Sequence, residues 1–227
     1  MKTGWLAPEL PGVRPHPAPT TYSLFSYENL PPLPSEALDP EFTWLQSTAV
    51  RNGSMAESGY ADGTKPDIRK LSQILPADVC PPPSFLKFMA STDLHRRLVS
   101  VTDCYFDVAD RIVKTRAPNS GYLVHFLSDS QWCAHWYLHV TETAQCILSS
   151  DNAYGFDLPQ DDESEPSWRK TEIDLDQEEI CLCAPSFPEF IYRFWLENEL
   201  WHALIDRRKM LTNVQEKYVA HYQRITG

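Results

Sequence analysis

The stretch Trp132-Cys133-Ala134-His135-Trp136-Tyr137-Leu138-His139 gathers a thiol, two imidazoles and a phenol on alternating positions. On an extended strand, Cys133, His135, Tyr137 and His139 share one face, and Trp132, Ala134, Trp136 and Leu138 share the other. A cysteine with two histidines is a donor set that zinc accepts. Neighbours two apart on one strand nevertheless sit roughly 6.5–7 Å from each other, and ligands about 2 Å from one ion fit that spacing poorly. The spacing therefore favours a polar sheet face on which His135, Tyr137 and His139 line a pocket, with no metal and no cofactor expected.

Other candidates are weaker. Cys181-Leu182-Cys183 places two thiols on one strand face, but no CxxC pair accompanies them, and two small buried hydrophobes are the simpler reading. Cys104 could act as a nucleophile with His125 and Asp129, although such triads are defined by geometry and not by chain order. Asp103, Asp107, Asp110 and Asp129 could hold magnesium only if they converged. The motifs HExxH, GxSxG, GxGxxG and GxxxxGK[ST] are all absent. The six cysteines have no scaffold-like density, and Met1 to Pro11 has no apolar leader. Both points lead to the expectation of reduced thiols in a cytoplasmic protein.

The elements that would position these residues follow from patterning. Nine of the 19 prolines fall within residues 1–40. With the loop-like composition of Arg51 to Asp67, they predict a proline-rich irregular extension over residues 1–67. A core domain over 68–207 is predicted to start with a short helix at Asp67 to Leu75 and a second helix after Pro81-Pro82-Pro83. Strands are predicted at Leu98 to Val108, Tyr122 to Leu127, Trp132 to Val140, Cys146 to Ser149 and Ile180 to Ala184. The short turns between the central strands read as an antiparallel meander, and helices flank it, so the fold class is α+β.

Ser186 through Ile205 opens with a Ser-x-x-Glu capping box and carries Phe187, Phe190, Ile191, Phe194, Trp201 and Ile205 at helical spacing. Leu196 and Leu200 fall on its far side, so the helix is either enclosed or keeps an apolar face for a partner. Asn198 falls within the buried stripe, where its amide must be satisfied by backbone of a sheet edge or loop, or else line the pocket. Residues 208–227 read as a C-terminal amphipathic helix.

Charge is localised. The chain carries 20 basic and 31 acidic residues, a net charge of −11. That sign disfavours bulk nucleic-acid binding, and no apolar run is long enough for a membrane span. Residues 151–180 alone hold eleven acidic and two basic side chains. A concentrated negative field steers encounter with a basic protein. The expected contact residues are Asp161, Asp162, Glu163, Glu165, Glu178 and Glu179, with Leu196, Glu199 and Leu200 from the long helix.

Leu75-Pro76 followed by Ser84-Phe85-Leu86-Lys87-Phe88-Met89, the segment Gly121 to Val140, and Phe187-Pro188-Glu189-Phe190 resemble, in that order, motifs of the SUKH superfamily. The similarity spans about residues 70–205; Ser91-Thr92-Asp93 stands where that family usually has glycine. The resemblance implies a non-catalytic α+β binding module, often an immunity protein that neutralises a toxin enzyme. A protein-binding role with a basic, toxin-like partner is the leading expectation. The alternatives are a small metal-dependent or cysteine hydrolase, and a scaffold that recruits partners through its proline-rich N-terminus.

Overall fold

The computed structural model describes residues 1–15, 20–57, 60, 65–77, 79–108, 111–156, 170–206 and 209–226. Among the described residues nine strands run in chain order: β1 (Lys2–Ala7), β2 (Ser23–Ser26), β3 (Tyr105–Phe106), β4 (Val113–Thr115), β5 (Gly121–Ser128), β6 (His135–Val140), β7 (Gln145–Ser150), β8 (Glu172–Ile173) and β9 (Ile180–Ala184). The helices are α1 (Thr43–Gln46), α2 (Leu71–Ile74), α3 (Pro83–Ala90), α4 (Thr92–His95), α5 (Phe187–Ile205) and α6 (Asn213–Thr226). The class is α+β. Among the described residues no helix is long and apolar enough to cross a membrane.

The strand order is β2-β1-β9-β7-β6-β5-β4-β8, with β3 also paired to β5. β5, β6 and β7 form the expected meander, but the sheet as a whole is mixed. β1 joins β9 in parallel and β8 joins β4 in parallel. Parallel partners cannot be linked by a tight turn, so no local signal in the chain marks them. The N-terminal stretch is likewise not irregular throughout, because Lys2–Ala7 and Ser23–Ser26 pair with each other and extend the sheet.

Only Tyr105–Phe106 of the strand predicted over Leu98 to Val108 is extended in a ladder. Asp103 takes a left-handed conformation (φ 52°), and Ser100 Oγ accepts from Cys104 N at 2.9 Å. This local turn competes with the ladder.

The two sheet faces differ. Val124, Phe126, Trp136, Leu138 and Ile147 pack against Phe187, Phe190, Ile191 and Phe194 of α5 and against α3 in the main core. The register shifts between His125 and Leu127, so Leu127 pairs with Trp136 and both join that core. This bulge returns Ser128 to the opposite face, beside His135. On that face Leu123, Tyr137 and Leu148 pack beneath Tyr154, Ile173 and Leu175 in a second cluster.

α5 starts where the sequence predicts. Ser186 caps it, accepting from Glu189 N at 3.4 Å while its hydroxyl donates to Glu189 Oε1 at 3.0 Å. Leu196 and Leu200, expected as a partner face, are instead 1% and 0% exposed. They sit with Leu10, Ala37, Tyr192, Tyr218 and Tyr222 in a third cluster. The far side of α5 is thus covered from within, by α6 and by residues from the N-terminal part of the chain. At the end of α5, Ile205 lies outside this cover and is 57% exposed.

Candidate functional site

A concavity lies where β1 and β2 meet the start of β9. It encloses about 990 Å³. Pairing of Lys2 with Cys181 sets β1 along β9, and pairing of Leu6 with Leu24 adds β2 outside it. Leu6, Tyr22, Leu24, Leu175 and Ile180 supply apolar walls, while Asp151, Asp176, Glu178 and Glu179 supply carboxylates and Lys2 a lysine. Glu178 accepts from Tyr154 Oη at 2.8 Å and from Lys170 Nζ at 2.5 Å, which fixes its carboxylate. Burial first, and Glu178 second, raise the ionisation of the Tyr154 phenol above its ordinary range. Glu179 is exposed, and its backbone carbonyl accepts from Ser150 Oγ at 2.9 Å. The Met1 amino group pairs with Asp176 at 2.7 Å.

Two of the expected partner contacts, Glu178 and Glu179, therefore line this cleft. Asp161, Asp162, Glu163 and Glu165 lie outside the described residues. Glu199 is elsewhere: it is 8% exposed and paired with Arg51 at 2.7 Å and Lys209 at 3.4 Å. The long helix does not bring Leu196, Glu199 or Leu200 to the cleft.

His135, Tyr137 and His139 do share a sheet face, but each is satisfied separately. His125 Nε2 lies 3.0 Å from Leu127 O and 2.7 Å from Ser128 Oγ, and Ser128 Oγ lies 2.7 Å from His135 Nδ1. A carbonyl oxygen only accepts, so the bond to Leu127 puts the proton on His125 Nε2 and leaves the Ser128 hydroxyl to donate to His135. Burial drives the His125 imidazole well below its ordinary pKa and pushes His135 down to about 4. Both rings are neutral at physiological pH.

Tyr137 Oη donates to Asn152 O and accepts from Tyr154 N, each at 2.9 Å. His139 Nε2 lies 3.0 Å from Thr115 Oγ1, whose hydroxyl donates to Asn119 O at 2.6 Å, so the imidazole is the donor. Each of these three side chains thus bonds to a different partner. Asn198 is not with them: it lies on α5, which packs on the opposite face. Its Oδ1 accepts from Val101 N at 2.8 Å and its Nδ2 donates to Phe194 O at 2.8 Å. The amide pins a loop to the helix.

Cys133 and Cys104 are not poised as nucleophiles. Cys133 donates to Asp129 Oδ2 at 3.0 Å. Burial first, and that carboxylate second, push the Cys133 thiol up to about 11. Cys104 is buried beside Tyr22 and raised by desolvation, and His125 is engaged with Ser128 rather than with it. Asp129 is itself saturated by Tyr22 Oη, Cys133 Sγ and Gln131 N. Among the described residues no group of three or more His, Cys, Asp or Glu side chains converges to hold a metal ion.

A buried charge cluster escaped sequence reasoning. Arg14 binds Glu197 through two bonds, Nη1 to Oε1 at 2.6 Å and Nη2 to Oε2 at 2.8 Å. Trp5 Nε1 and Tyr218 Oη add bonds to Glu197 at 2.7 Å and 2.6 Å. Arg193 donates to Tyr218 Oη at 2.7 Å and to Pro31 O at 3.1 Å. Burial opposes ionisation of Glu197, but the charge and hydrogen bonds of Arg14 outweigh it and hold the carboxyl below its ordinary pKa. The only available signal was a glutamate inside an over-apolar helix; its partner lies 183 residues away.

No family model, no curated protein and no solved structure matches the chain.

Proposed function

We propose that this chain is a non-enzymatic binding module for a basic protein, of the immunity type that neutralises a toxin enzyme, and that the acidic cleft receives the partner. One observation carries the reading. Asp151, Asp176, Glu178 and Glu179 ring a cleft of about 990 Å³ with apolar walls, within the segment that holds most of the chain's net negative charge. Apolar walls supply burial and a carboxylate rim supplies steering, the two components of a specific charged interface. The upward-shifted Cys104 and Cys133 thiols and the buried His135 and His139 imidazoles, each bonded to its own partner and shifted down by burial, support binding over nucleophilic or metal-assisted hydrolysis. A cytoplasmic location is part of the proposal, and six free cysteines support it.

The test uses the product of the neighbouring gene as the immobilised partner. Association is expected to slow as salt rises from about 10 to 150 mM. The combined Asp151→Asn, Glu178→Gln and Glu179→Gln variant should lower the on-rate more than it raises the off-rate. Absence of a complex, together with no protection on co-expression, overturns the immunity reading. Stoichiometric zinc in the purified protein would overturn the non-enzymatic one.

A further inference from the structure

A second groove, of about 710 Å³, runs between the Pro31–Pro34 segment and α6. It is unlike the acidic cleft in both charge and construction. Val214, Lys217, Tyr218, His221 and Arg224 recur at three- and four-residue intervals, so one strip of α6 forms a wall. The adjoining strip, with Tyr218 and Tyr222, is buried against α5. The helix is thereby held by one face and presents the next.

The facing wall is already ordered. Leu30 (φ −76°, ψ 141°) and Pro34 (φ −71°, ψ 165°) are in the polyproline region. Pro31 O is anchored by Arg193, and Asn29 O accepts from His221 Nε2 at 3.3 Å. Prolines 31, 32 and 34 have no backbone N–H, so this wall offers an occupant mainly apolar surface.

Charge decides what fits. Among the described residues the charged lining side chains are Lys217 and Arg224, with no carboxylate, on a chain of net charge −11. Both cations are exposed, and neither makes an ion pair among the described residues. Val214 is 37% exposed at one end of the wall. From these observations we propose that the groove between Pro31–Pro34 and α6 docks a short acidic segment with apolar side chains from another protein. Apolar side chains enter against Val214, Leu33 and the prolines, and carboxylates meet Lys217 and Arg224. Residues 214–224 of α6 span about 15 Å, the reach of roughly five extended residues. The groove is separate from the acidic cleft, so this proposal stands apart from the function proposed above.

Fluorescence anisotropy of the full chain tests it with two labelled probes, a peptide alternating leucine and glutamate and its leucine–lysine counterpart. The glutamate peptide should bind saturably and more tightly. Lys217→Glu with Arg224→Glu should weaken it by about tenfold or more, and Asp151→Asn with Glu179→Gln should leave it unchanged. Unaltered circular dichroism of the double variant verifies that it folds. Equal binding of both peptides, affinity unchanged in the double variant, or no saturation up to about 1 mM overturns the proposal. Self-association lost in the same variant would assign the groove to a second copy, and preferential binding of a single-stranded oligonucleotide would assign it to phosphate. Either result also overturns the acidic-peptide reading.

Discussion

Glu197 and Glu179 are the same residue type in opposite circumstances. Glu197 is 4% exposed and receives four hydrogen bonds from Arg14, Trp5 and Tyr218, whereas Glu179 stands open at the rim of the acidic cleft. The first carboxylate spends its whole interaction capacity inside the fold, joining β1, α5, α6 and the residue-14 turn. The second leaves its capacity for something outside. A charge therefore speaks of function only after its internal partners have been counted: by that count Glu179 is open, Asp176 and Glu178 of the same cleft are already partnered, and the Glu197 cluster is closed.

The largest expected effect breaks the closed region. Glu197→Gln leaves the Arg14 guanidinium buried without its counter-charge and should cost about 3–5 kcal/mol in urea unfolding. A cost under about 1 kcal/mol would mean that water reaches the cluster.

The histidine face is closed as well, and pH probes it. The native pKa of His135 is pushed down to about 4 from an ordinary value of 6.5, so the unfolded chain binds the proton first as pH falls. Its contribution is intact above about pH 6.5 and is lost progressively toward pH 4, by up to about 3 kcal/mol. Urea midpoints measured from pH 7 to 4 should fall less steeply for His135→Gln than for the parent; parallel slopes would show that another group dominates.

Trp5→Phe keeps the ring but deletes one donor to Glu197, and should cost about 1–3 kcal/mol by the same unfolding measurement. The smallest change belongs to the open region. Asp151→Asn with Glu179→Gln should move stability by no more than about 0.5 kcal/mol while lowering the on-rate for a basic partner. A large stability loss would erase the distinction between the two regions.

These contrasts also explain which parts of the fold could be read in advance. β5, β6, β7 and β9 follow from alternation and turns, and α5 from its capping box, because those signals are local. β1 was hidden among prolines, since its pairing partner Cys181 belongs to a distant strand. The apolar far side of α5 admitted two readings. Only the packing of Leu10, Tyr218 and Tyr222 onto Leu196 and Leu200 selects enclosure. At the cleft, Glu178 and Glu179 were visible as part of a charge run. Leu6, Tyr22 and Leu24 were not, because they reach the site through strand pairing rather than through any motif.

The reach of Trp5 and Arg14 to Glu197, across 192 and 183 residues, has a kinetic consequence during synthesis. At about 5–20 residues per second, the leading segment waits roughly 10–40 s before its partner helix is made. Strand β1 is thus made long before β9 and α5 and can be seated only after them, as long-range pairing requires. Limited proteolysis of stalled nascent chains checks this: cleavage before residue 15 should persist until the stall point passes α5. Early protection would mean that the segment docks on something else first.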